Sequence, residues 1–216
     1  MGEVLALNGS PRKKWNTAML LEKALEGAAS KGKETDLIHL YDLDFSGCTS
    51  CFACKLKGGK SYGRCAVKDD LTPILDRIHE ADALILGSPI YFGCVTGEMR
   101  SCMERLMFQY LVYTSPPSTL FSRKLKTAFI YTMNVPENMI EQVGYSQQFA
   151  ATANVLGRVF QAPSETFWSC ETLQFDDYSK YVFSYCDPGE RKERRKTVFP
   201  KDLKKAHDLG VKLCKR

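Results

Sequence analysis

The chain has 216 residues, is 44% hydrophobic and 25% charged, and carries a net charge of +5. That length suits one domain, 1–216, with a full core, and the composition is that of a globular protein. No apolar run approaches the roughly 20 residues needed to cross a bilayer, and no charged start followed by an apolar stretch marks a signal peptide, so a soluble, cytoplasmic chain is expected. Much of the positive surplus lies in Arg191-Lys192-Glu193-Arg194-Arg195-Lys196. This stretch reads as a solvated surface loop, because nucleic-acid or membrane binding usually takes more charge, interleaved with aromatics or set on an amphipathic helix.

Along the chain, Glu3-Val4-Leu5-Ala6-Leu7 is a short apolar run ended by Asn8-Gly9-Ser10-Pro11, a buried strand meeting a turn. A helical pattern follows from Asn16, with Ala18, Leu21, Leu25 and Ala28 on one face and Gly32 closing it. Asp36 to Leu40 is expected as a second strand. Asp69-Asp70 caps a helix with Leu71, Ile74, Leu75 and Ile78 inward. Ala83-Leu84-Ile85-Leu86 before Gly87-Ser88-Pro89 is the clearest buried strand. Thr96 then caps a helix whose Met99, Cys102, Met103, Leu106 and Met107 form a stripe expected in the core. Thr127 to Thr132 is a fourth strand, residues 138–157 a helix interrupted by Gly144, and Thr166 to Leu173 a fifth strand. Leu203, Ala206, Gly210 and Leu213 suggest a closing helix.

Strands that alternate with helices and are apolar nearly throughout imply a parallel sheet covered on both faces. Five such units match the flavodoxin-like doubly wound α/β order 2-1-3-4-5, whose ligand sits outside the carboxyl ends of strands 1 and 3. Two segments exceed that plan: a cysteine-rich insertion, 41–68, after strand 2, and an extension, 174–199, before the last helix.

The loop 9–17 ends at a helix start, where unpaired backbone N–H groups and the helix dipole favour an anion. No acidic side chain lies between Glu3 and Glu22, whereas Arg12, Lys13 and Lys14 precede the helix, and Ser10, Asn16 and Thr17 add short polar groups. Neither a Walker A motif nor Gly-x-Gly-x-x-Gly is present. Beyond strand 3, Ser88-Pro89-Ile90-Tyr91-Phe92-Gly93 combines a tight loop with flat aromatic surface and exposed amides. A flavin ring needs that combination of a planar apolar contact and N–H donors.

Four of the nine cysteines, Cys48, Cys51, Cys54 and Cys65, fall within 18 residues. A Cys-x2-Cys-x2-Cys run with a fourth thiol further on has the form of a [4Fe–4S] ligand set. Ten residues, lysine-rich, separate Cys54 from Cys65, so redox-active or free thiols and structural zinc stand as alternatives. In a reducing compartment structural disulfides are disfavoured. Cys94 is expected as a plain loop residue and Cys102 in the core; Cys170, Cys186 and Cys214 read as structural. The scattered His39, His79 and His207 receive no role, and no nucleophile or paired-carboxylate arrangement suggests hydrolysis.

The motifs Gly9-Ser10-Pro11-Arg12 with Asn16-Thr17, and Ser88 through Gly93, resemble the NADPH-dependent FMN reductase family. With Lys68-Asp69-Asp70-Leu71 following a compact cysteine motif, the chain is similar to that family's iron–sulfur flavoprotein branch. The resemblance covers roughly residues 3–132. It implies FMN, with its phosphate at Ser10, Arg12, Asn16 and Thr17 and its ring beside Pro89, Ile90, Tyr91, Phe92 and Gly93, in a homodimer or homotetramer. The family's glycine-bearing third loop is replaced by Thr132-Met133-Asn134-Val135-Pro136, where Asn134 is a candidate ring contact.

The expected function is an FMN-dependent oxidoreductase that exchanges electrons with a small molecule or a ferredoxin-like donor, with a [4Fe–4S] cluster as internal partner. One alternative is a cluster-free reductase using NAD(P)H on flavin or quinone. Another is a flavodoxin-like carrier or thiol redox sensor, against which the basic charge argues.

Overall fold

Short apolar runs bounded by turns become strands, and the segments of 3.6-residue period between them become helices. The computed structural model describes residues 2–215. In chain order the elements are β1 (Glu3–Asn8), α1 (Asn16–Ala29), β2 (Glu34–His39), α2 (Leu71–Glu80), β3 (Ala83–Tyr91), β4 (Cys94–Val95) and α3 (Gly97–Phe108). They continue with β5 (Leu111–Val112), β6 (Ser118–Thr119), β7 (Lys126–Thr132), α4 (Tyr145–Phe160), β8 (Ser164–Ser169), α5 (Pro188–Thr197) and α6 (Phe199–Leu213).

The main sheet runs β2-β1-β3-β7-β8, all parallel, which is the expected 2-1-3-4-5 order. β4 folds back antiparallel onto the end of β3, and β5 pairs with β6 in a separate hairpin. Successive strand residues face opposite sides, so each strand feeds two cores. Leu5, Leu7, Leu84, Leu86, Phe129 and Tyr131 pack under α2, α3 and α4. Val4, Ala6, Ile85, Ala128 and Ile130 pack under α1 and α6.

α1 and α6 meet backbone to backbone. A Cβ on Gly210 would fall 1.8 Å from the Ala24 carbonyl oxygen, and one on Gly27 would fall 2.0 Å from that of His207. Only glycine permits this approach, which fixes α1 and hence the loop that precedes it. The methionine stripe lies where expected: Met99, Cys102, Met103 and Leu106 are buried, and burial pushes the Cys102 thiol up to about 12. Thr96 caps α3, its hydroxyl oxygen accepting from the Met99 N–H at 3.3 Å. Asp70 occupies the N-cap position of α2 without a side-chain bond, and the preceding Asp69 accepts from the Leu71 N–H at 3.1 Å.

Three expectations change. The interrupted helix over 138–157 is a 3-10 turn, Glu137–Met139, followed by α4, because Gly144 adopts φ +78° and starts a new helix. The fifth strand spans Ser164–Ser169, and residues 170–173 leave the sheet to cross the carboxyl end of β7. The basic run 191–196 is not a solvated loop. It lies in α5, capped by the Asp187 carboxylate on the Gly189 N–H at 2.8 Å, with Pro188 in the first turn. Arg191 is only 3% exposed. Tertiary counter-ions override its polarity: Arg191 pairs with Glu171 at 2.6 Å, and Arg194 with Asp202 at 3.5 Å.

Candidate functional site

Three loops leave the carboxyl ends of β1, β3 and β7 and converge. The registers pair Asn8 with Gly87 and Pro89 with Thr132, which brings the loop starts side by side. Hydrogen bonds then lock them together. The Gly9 N–H donates to the Gly87 carbonyl at 2.8 Å, and the Thr96 hydroxyl donates to the Gly9 carbonyl at 2.6 Å. Thr17 and Thr132 share a hydroxyl–hydroxyl bond of 2.8 Å, buried. Between the loops lies a cleft of about 240 Å³.

Of the residues singled out in the sequence, Ser10, Arg12, Asn16, Thr17, Pro89, Ile90, Tyr91 and Asn134 line this cleft; Phe92 and Gly93 do not. Those two form the tip of the β3–β4 hairpin at φ +49° and +86°, a left-handed pair suited to a tight turn. Phe92 is fully exposed there, while Tyr91, 45% exposed, keeps one side on the cleft.

The N-terminus of α1 is electrostatically open. It has no side-chain cap and no acid in its first turn, so the first-turn N–H groups lack helical partners. Ser10, Asn16 and Thr17 are buried beside it. The Ser10 oxygen accepts from the Arg12 N–H at 3.1 Å, which leaves the hydroxyl proton available. Asn16 is committed elsewhere: its amide donates to the Leu173 carbonyl at 2.8 Å, and its Oδ1 accepts from Arg195 at 2.8 Å. Its backbone N–H remains for an anion. Arg12 stacks on Trp15 at 3.9 Å and donates to the Gln174 carbonyl at 2.6 Å.

The part of the cleft lining formed by Thr172, Leu173, Gln174 and Phe175 was not legible in the sequence. The Trp15 indole N–H donates to the Leu173 carbonyl at 2.8 Å, so two α1-side donors share one acceptor. Asn134 Oδ1 is buried without a hydrogen-bond partner. Such an atom is costly unless a ligand completes it.

The cysteines lie on a loop packed along α3. The Cys48 N–H donates to Glu104 at 3.4 Å and the Cys65 N–H to Gln109 at 2.9 Å. Glu104 stands seven residues into α3, about 10 Å along its axis from the hairpin that borders the cleft. Ser50 and Phe52 adopt φ +54° and +57°, a strained backbone of the kind that forms concave nests around anionic groups. Cys54 is buried, Cys48 and Cys65 half-buried, and Cys51 exposed. Burial pushes the Cys54 thiol up and Lys55 opposes this, while Cys65 and Cys51 are near enough to add to the rise. Among the described residues, no three His, Cys, Asp or Glu side chains are gathered as a metal-binding group.

One buried arginine and one half-buried lysine hold this loop. Arg105, fully buried, pairs with Asp69, donates to the Ser46 carbonyl at 3.2 Å and the Val67 carbonyl at 3.5 Å, and faces the Cys65 sulfur. Lys55 donates to the Phe108 and Leu111 carbonyls, the latter at 2.6 Å, at the end of α3. Phe52 packs edge-on against Phe108 at 5.7 Å.

A doubly wound parallel sheet with an open helix N-terminus and an aromatic loop at its switch point defines the flavodoxin-like class of flavoprotein folds. Residues 3–141 match the model of the NADPH-dependent FMN reductase family, more than half of the chain. The protein belongs to that family. An iron-sulfur flavoprotein of Methanocaldococcus jannaschii is 40% identical over 103 residues, which cover 48% of this chain and 51% of that protein. One from Archaeoglobus fulgidus is 43% identical over 103 residues, 48% of each. The chain thus spans about half the length of the curated relatives it matches. Among solved structures, the NAD(P)H:quinone oxidoreductase from Methanothermobacter marburgensis superposes with a TM-score of 0.70 at 16% identity, covering 98% of both chains. An azoreductase from Bacillus anthracis gives 0.68 at 16%, covering 98% of this chain and 100% of that one. Identity this low speaks to the fold alone. No helix among the described residues is long and apolar enough to cross a membrane.

Proposed function

We propose that the protein is an oxidoreductase that binds FMN in the cleft between the loops after β1, β3 and β7. The observation that carries this reading is the convergence of three loops on one cleft at the sheet's carboxyl end, with the uncapped N-terminus of α1 opening into it. The first-turn N–H groups and Ser10 would hold the phosphate, Pro89 to Tyr91 would support the ring, and Asn134 Oδ1 would accept from it. When bound, the flavin supplies hydride and single-electron chemistry. The side chains bind and orient it, so no general acid or base is required.

Cys48, Cys51, Cys54 and Cys65 would hold a [4Fe–4S] cluster, which exchanges single electrons. Four soft donors on one loop, with the buried Arg105 and the half-buried Lys55 close by, suit an anionic iron–sulfur group. The external donor would be a reduced ferredoxin-like protein or NAD(P)H, the acceptor a small molecule, and the assembly a homodimer or homotetramer.

The test is an optical spectrum with iron and acid-labile sulfide analysis on anaerobically purified protein. A flavin spectrum with about four irons and four sulfides per chain is expected. Flavin without iron would leave a cluster-free NAD(P)H-dependent reductase with the four cysteines as thiols. No flavin after incubation with FMN would remove the cleft assignment.

A further inference from the structure

The three arginines of α5 are treated differently by the fold. Arg191 and Arg194 both reach Glu171, and Arg194 also reaches Asp202. Arg195 has no carboxylate within 4.0 Å among the described residues. It is nevertheless half-buried: Nη1 donates to Asn16 Oδ1 at 2.8 Å, Nη2 lies 2.9 Å from Met19 Sδ, and the guanidinium stacks on Phe199 at 4.0 Å. All three contacts are neutral. Burial draws its pKa below the usual arginine value, with Asp176 opposing only at longer range.

A partly desolvated cation without a paired anion is unfavourable, and here it sits one side chain from the positive end of α1. Nothing acidic in the first turn of α1 offsets the two. A phosphate at that helix terminus would face both, through the first-turn N–H groups directly and through Asn16 indirectly. The same bond fixes the amide of Asn16: with Oδ1 held by Arg195, the NH2 is turned to the Leu173 carbonyl.

We propose that Arg195 is a positioning residue for the cofactor's phosphate, supplying counter-charge behind Asn16 and locking its amide against the cleft wall. The ligand class is a phosphate monoester dianion, and the residue lies in the extension beyond 3–141, outside the span shared with the reductase family. This rests on the cleft being the FMN site. It goes further in making selectivity for FMN over riboflavin depend on the C-terminal extension.

The experiment measures Kd for FMN and for riboflavin by flavin fluorescence in the wild type, Arg195→Gln and Arg195→Lys. Arg195→Gln is expected to weaken FMN about tenfold, the scale of one charge-assisted contact, with riboflavin changed less than about twofold. Arg195→Lys should keep the FMN-to-riboflavin ratio within about threefold of wild type, because the charge is retained. Equal losses for both flavins, or no loss for FMN, would overturn the proposal and leave Arg195 a packing residue. If Arg195→Gln fails to fold by circular dichroism, Arg195→Met is read in its place, since its stem still packs between Met19 and Phe199. If the wild type binds neither flavin, the cleft reading falls on its own. The Tm gain in inorganic phosphate then decides on Arg195: a smaller gain in Arg195→Gln than in wild type supports it, and an equal gain overturns it.

Discussion

The cleft and the cysteine loop both begin where a parallel strand ends, yet they are held in opposite ways. In the cleft, the polar residues are buried and matched through the sheet: Thr17 to Thr132, Thr96 to Gly9, Gly9 to Gly87. In the cysteine loop, few apolar side chains are buried and two residues are in left-handed strain; Arg105 grips its carbonyls from α3, and its own Lys55 grips carbonyls at the end of α3. The cleft is therefore a product of sheet geometry and is shaped before any ligand arrives. The loop is a clamp whose shape depends on a few charged contacts.

The largest expected effect breaks that clamp. Arg105→Ala would leave Asp69 and two carbonyls without their buried donor, and should lower stability by about 4 kcal/mol in urea titrations at pH 7. Burial pushes the Asp69 carboxyl up, but the hydrogen bond and charge of Arg105 outweigh it and hold its pKa below 3.8. A lowered folded-state pKa contributes stability above the unfolded value and loses it as pH falls through the folded one. The gap between wild type and variant should thus be full above about pH 4 and shrink only below 3.8. A gap that closes near pH 6 would contradict the assignment.

Next in size, Gly210→Ala drives a methyl into the Ala24 carbonyl and forces α6 away from α1. About 3 kcal/mol should be lost, read from the urea midpoint. Because α1 carries the anion-facing terminus, FMN affinity should fall as well, while thiol alkylation at Cys51 keeps its wild-type rate. A change in alkylation alone would show the two regions to be coupled more tightly than their contacts imply.

Thr96→Ala removes the α3 cap and the bond to Gly9, for about 1.5 kcal/mol in the same titration. The smallest effect has the opposite sign. Ser50→Gly relieves a left-handed serine and should stabilise iron-free protein by about 1 kcal/mol. No gain there would mean that the strain at Ser50 is not stored in the resting loop.

Much of this architecture could be read along the chain. The apolar runs at 3–7 and 83–86, the 3.6-residue stripe from Met99 to Met107, the Thr96 cap and the acid-free start of α1 are local signals. Each is a periodicity, a cap or a charge pattern within a dozen residues, and such patterns survive without knowledge of the rest. They determined the parallel sheet and its order, and eight of the ten residues named from the loops and the family resemblance line the cleft.

Tertiary structure alone decided the rest. Leu173 reaches Asn16 across 157 positions and Arg195 reaches it across 179, distances over which no sequence period extends. The basic run looked solvated because its counter-ions, Glu171 and Asp202, lie on other elements. The carbonyls to which Asn16 and Arg12 each donate belong to residues 173 and 174, which no local pattern links to the loop 9–17. Local chemistry wrote the fold and the loops, whereas the partners of the charged groups were set by chain brought together from the far end. A buried charge takes whatever counter-group the packed fold delivers to it.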